Sequence, residues 1–379
     1  MKDYHKSVMS VSESVARFFD TVFSRVHIDG PDLDAERIQK NPLMIVSTHR
    51  SHIDYFFVGK MMYFKGFTNL RFAAGDNLTK LPIIGPRFRN FGAFTVSRGK
   101  GFLRNYVRKL CNDVITMMKG GDIVLVFPEG GRSYTGNTLE IRGGILNSAI
   151  LLQARNPDLD VRILPMSISY ECAPDVPWFP MLLKGKRLRE KTNPLPKRLL
   201  GNIYYYGADL MAFIPIFFYR LFRRNYGEIY SDYQEPVCVK ELVDIEKNKN
   251  SDAKDEFFAH RESLDQLSEK VFERFVSLYR ILPLHLVAKG LSGVEKGSTI
   301  DIDLVEKSVL RFRDQAVREN LNVKSVVDLT APEIVKRGFE QLEKYKAIKR
   351  GKTFCRMKNP EIIKYCAAAL KIPGEEKLT

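Results

Sequence analysis

Between residues 8 and 26, the apolar positions Val8, Val11, Val15, Phe18, Phe19, Val22, Phe23 and Val26 fall at steps of three and four. That spacing gathers them on one stripe and predicts an amphipathic helix. From about residue 26 the period changes. Short apolar runs appear at Pro42-Leu-Met-Ile-Val-Ser, Leu70-Arg-Phe-Ala-Ala, Ala93-Phe-Thr-Val, Ile123-Val-Leu-Val-Phe and Val161-Arg-Ile-Leu-Pro-Met-Ser-Ile, with helical stretches at 101–119 and 142–155. Strands alternating with helices predict an α/β fold with a mixed, largely parallel sheet flanked by helices. Chemistry in such sheets collects beyond the strand ends. Helical periodicity returns at Phe257, and further helices are predicted at 302–319, 332–348 and 359–370. The chain thus divides into an N-terminal amphipathic helix (1–25), an α/β domain (26–240), a polar linker (244–256) and a helical region (257–379).

Residues 184–224 break this pattern. Seven basic residues (Lys184, Lys186, Arg187, Arg189, Lys191, Lys197 and Arg198) stand in 184–198 against one acid, Glu190. An aromatic and apolar run from Tyr204 to Tyr219 follows, then Arg220, Arg223 and Arg224. Basic residues bracketing such a run suit an anionic membrane interface, and a buried helix with solvated ends is the competing reading. Asp209 and Pro215 interrupt the run, which argues against a membrane span. No stretch reaches eighteen uncharged apolar residues, and the first twenty lack the apolar core of a signal peptide.

Charge sharpens the picture. The 379 residues hold 60 Lys and Arg against 45 Asp and Glu, a formal net charge of +15. Such a surplus predicts an anionic partner: nucleic acid, an anionic membrane surface or a phosphorylated substrate. No nucleic-acid-binding signature accompanies it, which weakens the first of these. The five cysteines are widely spaced, with no Cys-x-x-Cys, which argues against a disulfide scaffold and a cysteine-ligated zinc site.

Three strand ends carry candidate chemistry. After Ser47 comes Thr48-His-Arg-Ser-His-Ile-Asp, which sets His49 and Asp54 five positions apart. An imidazole becomes a useful general base when a carboxylate fixes its tautomer and stabilises the imidazolium. Two readings compete: a metal site using His49, His52 and Asp54, whose spacing matches no zinc signature, and a helix cap with incidental histidines. The strand ending at Phe127 is followed by Pro-Glu-Gly-Gly-Arg-Ser. Here Glu129 offers a carboxylate, Gly130 and Gly131 a close backbone approach, Arg132 a bidentate donor and Ser133 a hydroxyl. The strand ending at Val96 is followed by Ser-Arg-Gly-Lys, which sets Arg98 and Lys100 at a strand-to-helix junction. Pro165 stands in the middle of its strand, where it marks an edge, a bulge or a groove wall.

Taken together, the blocks His49-Arg-Ser-His-Ile-Asp54, Gly92-Ala-Phe-Thr-Val-Ser-Arg98, Phe127-Pro-Glu-Gly-Gly-Arg-Ser133 and Ile163-Leu-Pro165 resemble, in order, those of the glycerolipid acyltransferase superfamily. Within it, Arg50 and the double glycine are similar to the bacterial membrane-type glycerol-3-phosphate acyltransferases. The resemblance implies transfer of a fatty acyl group from acyl-CoA or acyl carrier protein to the sn-1 hydroxyl of glycerol-3-phosphate, in phospholipid biosynthesis. No metal and no cofactor beyond that co-substrate is implied. His49 would be the base and Asp54 its orienter. Arg98 and Arg132 would hold the phosphate, Glu129 would position the glycerol hydroxyls, and Gly130 and Gly131 are candidates for the oxyanion hole. Ser133 and Pro165 complete the substrate-binding blocks. The third block departs from the family pattern, with Tyr134 where an arginine is usual. Lysophosphatidate and dihydroxyacetone phosphate therefore stay open as acceptors. The resemblance also implies a peripheral or monotopic protein on the cytoplasmic face of the cell membrane. A nucleic-acid-binding protein and a catalytically silent membrane adaptor are the non-enzymatic alternatives.

Overall fold

The computed structural model describes residues 17–75, 79, 86, 89–97, 103–190, 192–217, 225–251, 253, 255–351 and 355–370, the side chains of 210 and 213–217 excepted. Its framework is a sheet of eight strands: β1 (Arg25–Asp29), β2 (Leu43–Ser47), β3 (Leu70–Gly75), β4 (Ala93–Val96), β5 (Ile123–Val126), β6 (Arg162–Tyr170), β7 (Glu228–Tyr233) and β8 (Val237–Cys238). The order is β1-β7-β6-β2-β5-β3-β4, with β8 also pairing β6. Only the β6–β7 and β6–β8 pairs are antiparallel. The mixed, largely parallel α/β expectation is therefore met.

Strand periodicity explains where the core sits. In β2, β5 and β6, the residues Leu43, Ile45, Ile123, Leu125, Leu164 and Met166 face one side of the sheet. Met44, Val46, Val124, Val126 and Ile163 face the other. Every residue of β2 is buried, as expected of a central strand covered on both faces. The first face is covered by α1 (Asp54–Phe64) and the second by α2 (Arg104–Lys119) and α3 (Asn147–Arg155). After β6 come α4 (Phe179–Leu188) and α5 (Leu195–Phe217), which pack against each other.

The helical region packs onto this sheet. α6 (Arg261–Leu278) places Leu267, Val271 and Phe275 in the second apolar layer. α7 (Pro283–Gly290), α8 (Ile302–Arg318), α9 (Ala331–Lys344) and α10 (Pro360–Ala367) extend the first. Arg280 ties the two regions together. Its guanidinium pairs with Asp232 of β7 and Asp29 of β1, and its backbone N–H donates to Ser169 Oγ at 3.0 Å.

Two local expectations change. The N-terminal helix, expected to run through residue 25, ends at 22, and Arg25 and Val26 already belong to β1. The parallel partner β7 draws that segment into the sheet; residues 1–16 lie outside the described residues. Pro165 is at neither a sheet edge nor a bulge: it is buried in β6 and pairs with Val46 of β2. The N–H groups of Arg162 and Ile168 both point to the β2 side, bonding Pro42 O and Thr48 Oγ1. By alternation the Pro165 nitrogen points the other way. There β8 pairs only residues 162–163 and β7 only 166–170, so no ladder bond is lost.

Candidate active site

The site lies beyond the carboxyl ends of β2, β5 and β6. β2 delivers Thr48 to Ser51, and the chain then turns into α1, whose first residue is Asp54. Asp54 is fully buried and serves as a hub. Its Oδ2 accepts the N–H groups of Arg50 (2.7 Å) and Ser51 (2.9 Å) and lies 2.9 Å from His49 Nδ1. Its Oδ1 accepts the Tyr170 hydroxyl at 2.5 Å. The turn therefore folds around the carboxylate, which is how positions 49 and 54 come into contact.

His49 is buried and stacks on Phe127, with ring centroids 4.3 Å apart. Burial pulls its pKa down to about 4, against the opposing pull of Asp54. The ring is therefore neutral near neutral pH. With Nδ1–H donated to Asp54, Nε2 carries the lone pair, 3.4 Å from the Tyr55 hydroxyl. A neutral imidazole, oriented by a carboxylate on its far nitrogen, is the form a general base requires.

The loop after β5 closes around this pair. Glu129 accepts the His49 N–H at 2.7 Å and the Leu139 N–H at 2.8 Å, and its Oε1 lies 3.8 Å from the Arg50 guanidinium. Both of its oxygens thus hold the protein together. Burial, opposed by Arg50, raises its pKa. Ser133 is likewise spent within the loop, its N–H on His49 O and its Oγ on Asn137 O. Gly130 donates its N–H to Phe127 O, which removes it from the candidate oxyanion donors and leaves Gly131.

Arg132 departs most from expectation. Its guanidinium is buried, with one arm on Asp175 Oδ2 (2.6 Å) and another on Asp209 Oδ1 (2.5 Å). His52 joins this second network through Asp209 (3.0 Å) and through its N–H to Asp175. Despite burial, the charge of Arg132 and the hydrogen bonds from Ser51 and Arg132 hold the Asp175 carboxyl below the usual range. Arg132 is therefore an already neutralised cation in this structure. His52 faces Asp209, and the described residues contain no group suited to a metal ion. Tyr134 leans on Arg132 and Phe179. Arg98 and Lys100 lie outside the described residues.

Asp175 and Tyr170 were not singled out from the sequence, and Asp209 was noted only as an interruption of the apolar run. A cavity of about 280 Å³, walled by Glu129, Arg132 and the glycine loop, is also lined by Arg142, Lys186 and Arg189. Arg142 was not singled out either, and the other two were noted only as part of the basic segment.

The site thus brings a buried His–Asp couple to the carboxyl ends of parallel strands, beside a glycine turn, with the imidazole in the neutral form that a general base requires. Residues 32–169 match the family model described as Acyltransferase. Similar curated proteins carry the name glycerol-3-phosphate acyltransferase. One from Xanthomonas axonopodis pv. citri is 25% identical over 310 residues, which is 80% of this chain and 33% of that protein. One from Shewanella frigidimarina is 24% identical over 347 residues, 86% of this chain and 40% of that protein. One from Alteromonas mediterranea is 28% identical over 252 residues, 64% of this chain and 28% of that protein. The chain thus spans about a third of the length of these relatives.

Proposed function

We propose that this chain catalyses an acyl transfer of glycerolipid synthesis, moving a fatty acyl group from acyl-CoA or acyl carrier protein to the sn-1 hydroxyl of glycerol-3-phosphate. The observation that carries the reading is the neutral His49 held by buried Asp54 inside the acyltransferase domain. The names of the relatives support the acceptor. His49 Nε2 takes the hydroxyl proton as the oxygen attacks the thioester carbonyl. The imidazolium so formed is stabilised by Asp54. Collapse of the tetrahedral intermediate breaks the C–S bond, and the thiolate leaves with the proton from His49. Gly131 is the candidate donor to the oxyanion.

The test is product analysis by mass spectrometry. Purified protein in mixed micelles receives palmitoyl-CoA with equal amounts of glycerol-3-phosphate and an odd-chain lysophosphatidate. Palmitoyl-lysophosphatidate is the expected product; mixed-chain phosphatidate instead would transfer the assignment to the lipid acceptor, the reading that Tyr134 favours. His49→Ala should cost ~10²–10⁴ in rate, and near-normal turnover would refute the base assignment.

The same reading calls for a membrane surface, on the cytoplasmic face, where the lipid product is delivered. α5 supports it. Ile203 is 68% and Leu195 64% exposed, and Leu199 and Tyr206 extend the same exposed stripe beside Lys197 and Arg198. No helix among the described residues is long and apolar enough to cross a membrane, so contact would be peripheral or monotopic. Leu199→Asn/Ile203→Asn should release the protein from phosphatidylglycerol vesicles in a sedimentation assay without lowering its Tm. Undiminished sedimentation would exclude α5 as the contact.

A further inference from the structure

We propose that Tyr55 reserves His49 for an acceptor hydroxyl: its phenol covers the lone pair of Nε2 and denies the base to water until an acceptor displaces it. This rests on the acyl-transfer reading above and adds the control that makes such a site a transferase and not a thioesterase.

The argument begins with a hazard. A neutral imidazole beside a bound thioester can activate water as well as an alcohol. Water would lose a proton to Nε2 while its oxygen attacked the carbonyl. The C–S bond would then break, and the thiolate would leave with the proton from His49. The products would be a fatty acid and a free thiol, and the acyl donor would be wasted. Nε2 therefore has to be closed to water yet open to an acceptor.

Three rings close around that atom. His49 stacks on Phe127 with centroids 4.3 Å apart, and Tyr55 stands edge-on to both, at 4.8 Å from Phe127 and 5.3 Å from His49. Phe72 of β3 backs Tyr55 at 5.3 Å. All four side chains are buried. The wall turns a phenol to Nε2, at 3.4 Å. His49 donates Nδ1–H to Asp54, so Nε2 carries only a lone pair and the bond runs to it from the Tyr55 hydroxyl. Tyr55 follows Asp54 directly in α1, so the turn that orients the base also places its cover. At 3.4 Å this bond is long, and it yields readily to a better partner. An acceptor held by its other groups presents its hydroxyl at high effective concentration. A lone water has no remote binding energy to spend and has to open the ring wall by itself.

Tyr55→Phe keeps the ring wall and removes the cover. Hydrolysis is measured as thiol and fatty acid released from palmitoyl-CoA with no acceptor present. The variant should raise that rate about three- to tenfold, the size of one neutral hydrogen bond. Tyr233→Phe removes a buried hydroxyl that bonds Pro31 O, away from the base, and should leave hydrolysis unchanged. A second readout needs no turnover. In NMR spectra of protein carrying isotope-labelled histidine, the His49 Nε2 resonance should move toward the position of an unbonded lone pair in Tyr55→Phe and stay in place in Tyr233→Phe. Hydrolysis that is unchanged in Tyr55→Phe, or that rises equally in Tyr233→Phe, would overturn the proposal, as would an unmoved resonance. So would slower hydrolysis, the result expected if the phenol instead holds the attacking water. A moved resonance in a protein that transfers acyl groups to neither glycerol-3-phosphate nor lysophosphatidate would uphold the cover over Nε2 and refute the acyl-transfer reading.

Discussion

Replacing Asp54 by Asn isolates what its charge does, because the surrounding donors dictate how the amide must sit. The Oδ2 position receives two backbone N–H groups and His49 Nδ1–H, and only an oxygen can accept them. The amide nitrogen therefore takes the Oδ1 position, where the Tyr170 hydroxyl can rotate and accept from it. The turn, the His49 tautomer and the free Nε2 all survive. What disappears is the anion beside the developing imidazolium. Two unit charges ~4 Å apart at an effective dielectric of ~20 interact by about 4 kcal/mol. Only part of that charge exists in the transition state, so kcat should fall ~10²–10³-fold. Thiol release from acyl-CoA at saturating acceptor measures the rate, and urea unfolding checks that the fold persists. A loss under tenfold in a folded variant would refute stabilisation by Asp54. A loss near 10⁴, the size expected when the tautomer inverts, would refute the argument that the turn fixes the amide.

Stability should fall as the medium is acidified. His49, His52 and His285 are buried with lowered pKa values, to about 4 for His49 and about 3 for His285. Below the unfolded value of about 6.5 the unfolded chain binds protons that the folded chain refuses, so ΔG of unfolding drops with pH until the folded values are reached. The urea midpoint should decline from pH 6.5 to 4, and His285→Asn should flatten that slope; a flat wild-type profile would contradict the neutral assignments. Arg132→Gln should cost about 3–5 kcal/mol, because it strands two buried carboxylates, and adding Asp209→Asn should recover part of the loss; a surface-like cost below ~0.5 kcal/mol would show that the network is open to water. Gly136→Ala, at φ +93° and with its Cβ 1.9 Å from Tyr365 O, should lower stability by several kcal/mol. An unchanged Tm there would mean that α10 does not press on the active-site loop.

The fold and the catalytic couple were legible because their determinants are local. β2, β5 and most of β6 are short apolar runs, and the sheet buries both faces of each. His49 and Asp54 meet within one turn, so five positions of sequence contain the whole geometry. The Arg132 network was illegible for the opposite reason. Its partners stand 43 and 77 residues further along, at the entrance to α4 and inside α5. A lone Asp175 after β6 and a lone Asp209 in an apolar run carry no local sign of a shared arginine. β7 was missed because Glu228-Ile-Tyr-Ser-Asp-Tyr reads as polar, yet Ser231 and Asp232 are buried. Asp232 is compensated by Arg280, 48 residues away. β1 was absorbed into the preceding helical stripe, because Phe23 and Val26 continue its three-four spacing until the sheet claims the chain.

The long-range contacts also explain why the helical region belongs to the site. Arg50 stands within the first motif block, yet its guanidinium lies 4.7 Å from the centre of the Tyr279 ring, at the exit of α6. Its arms bond Asn137 O and Thr138 Oγ1 of the loop after β5. Arg50 therefore joins three segments: the turn that carries His49, the loop that carries Glu129 and the helical region. The Tyr345 hydroxyl, just beyond α9, accepts the Ala173 N–H two residues before Asp175. At Gly136 the Tyr365 carbonyl of α10 closes on the loop so tightly that no side chain fits. A base must be held to within fractions of an ångström of its substrate, and here the motif-bearing turn and loop rest against helices that carry no motif. Substitutions at the exit of α6 and along α9 and α10 would therefore act on turnover through the placement of Arg50 and the glycine loop, without touching a substrate.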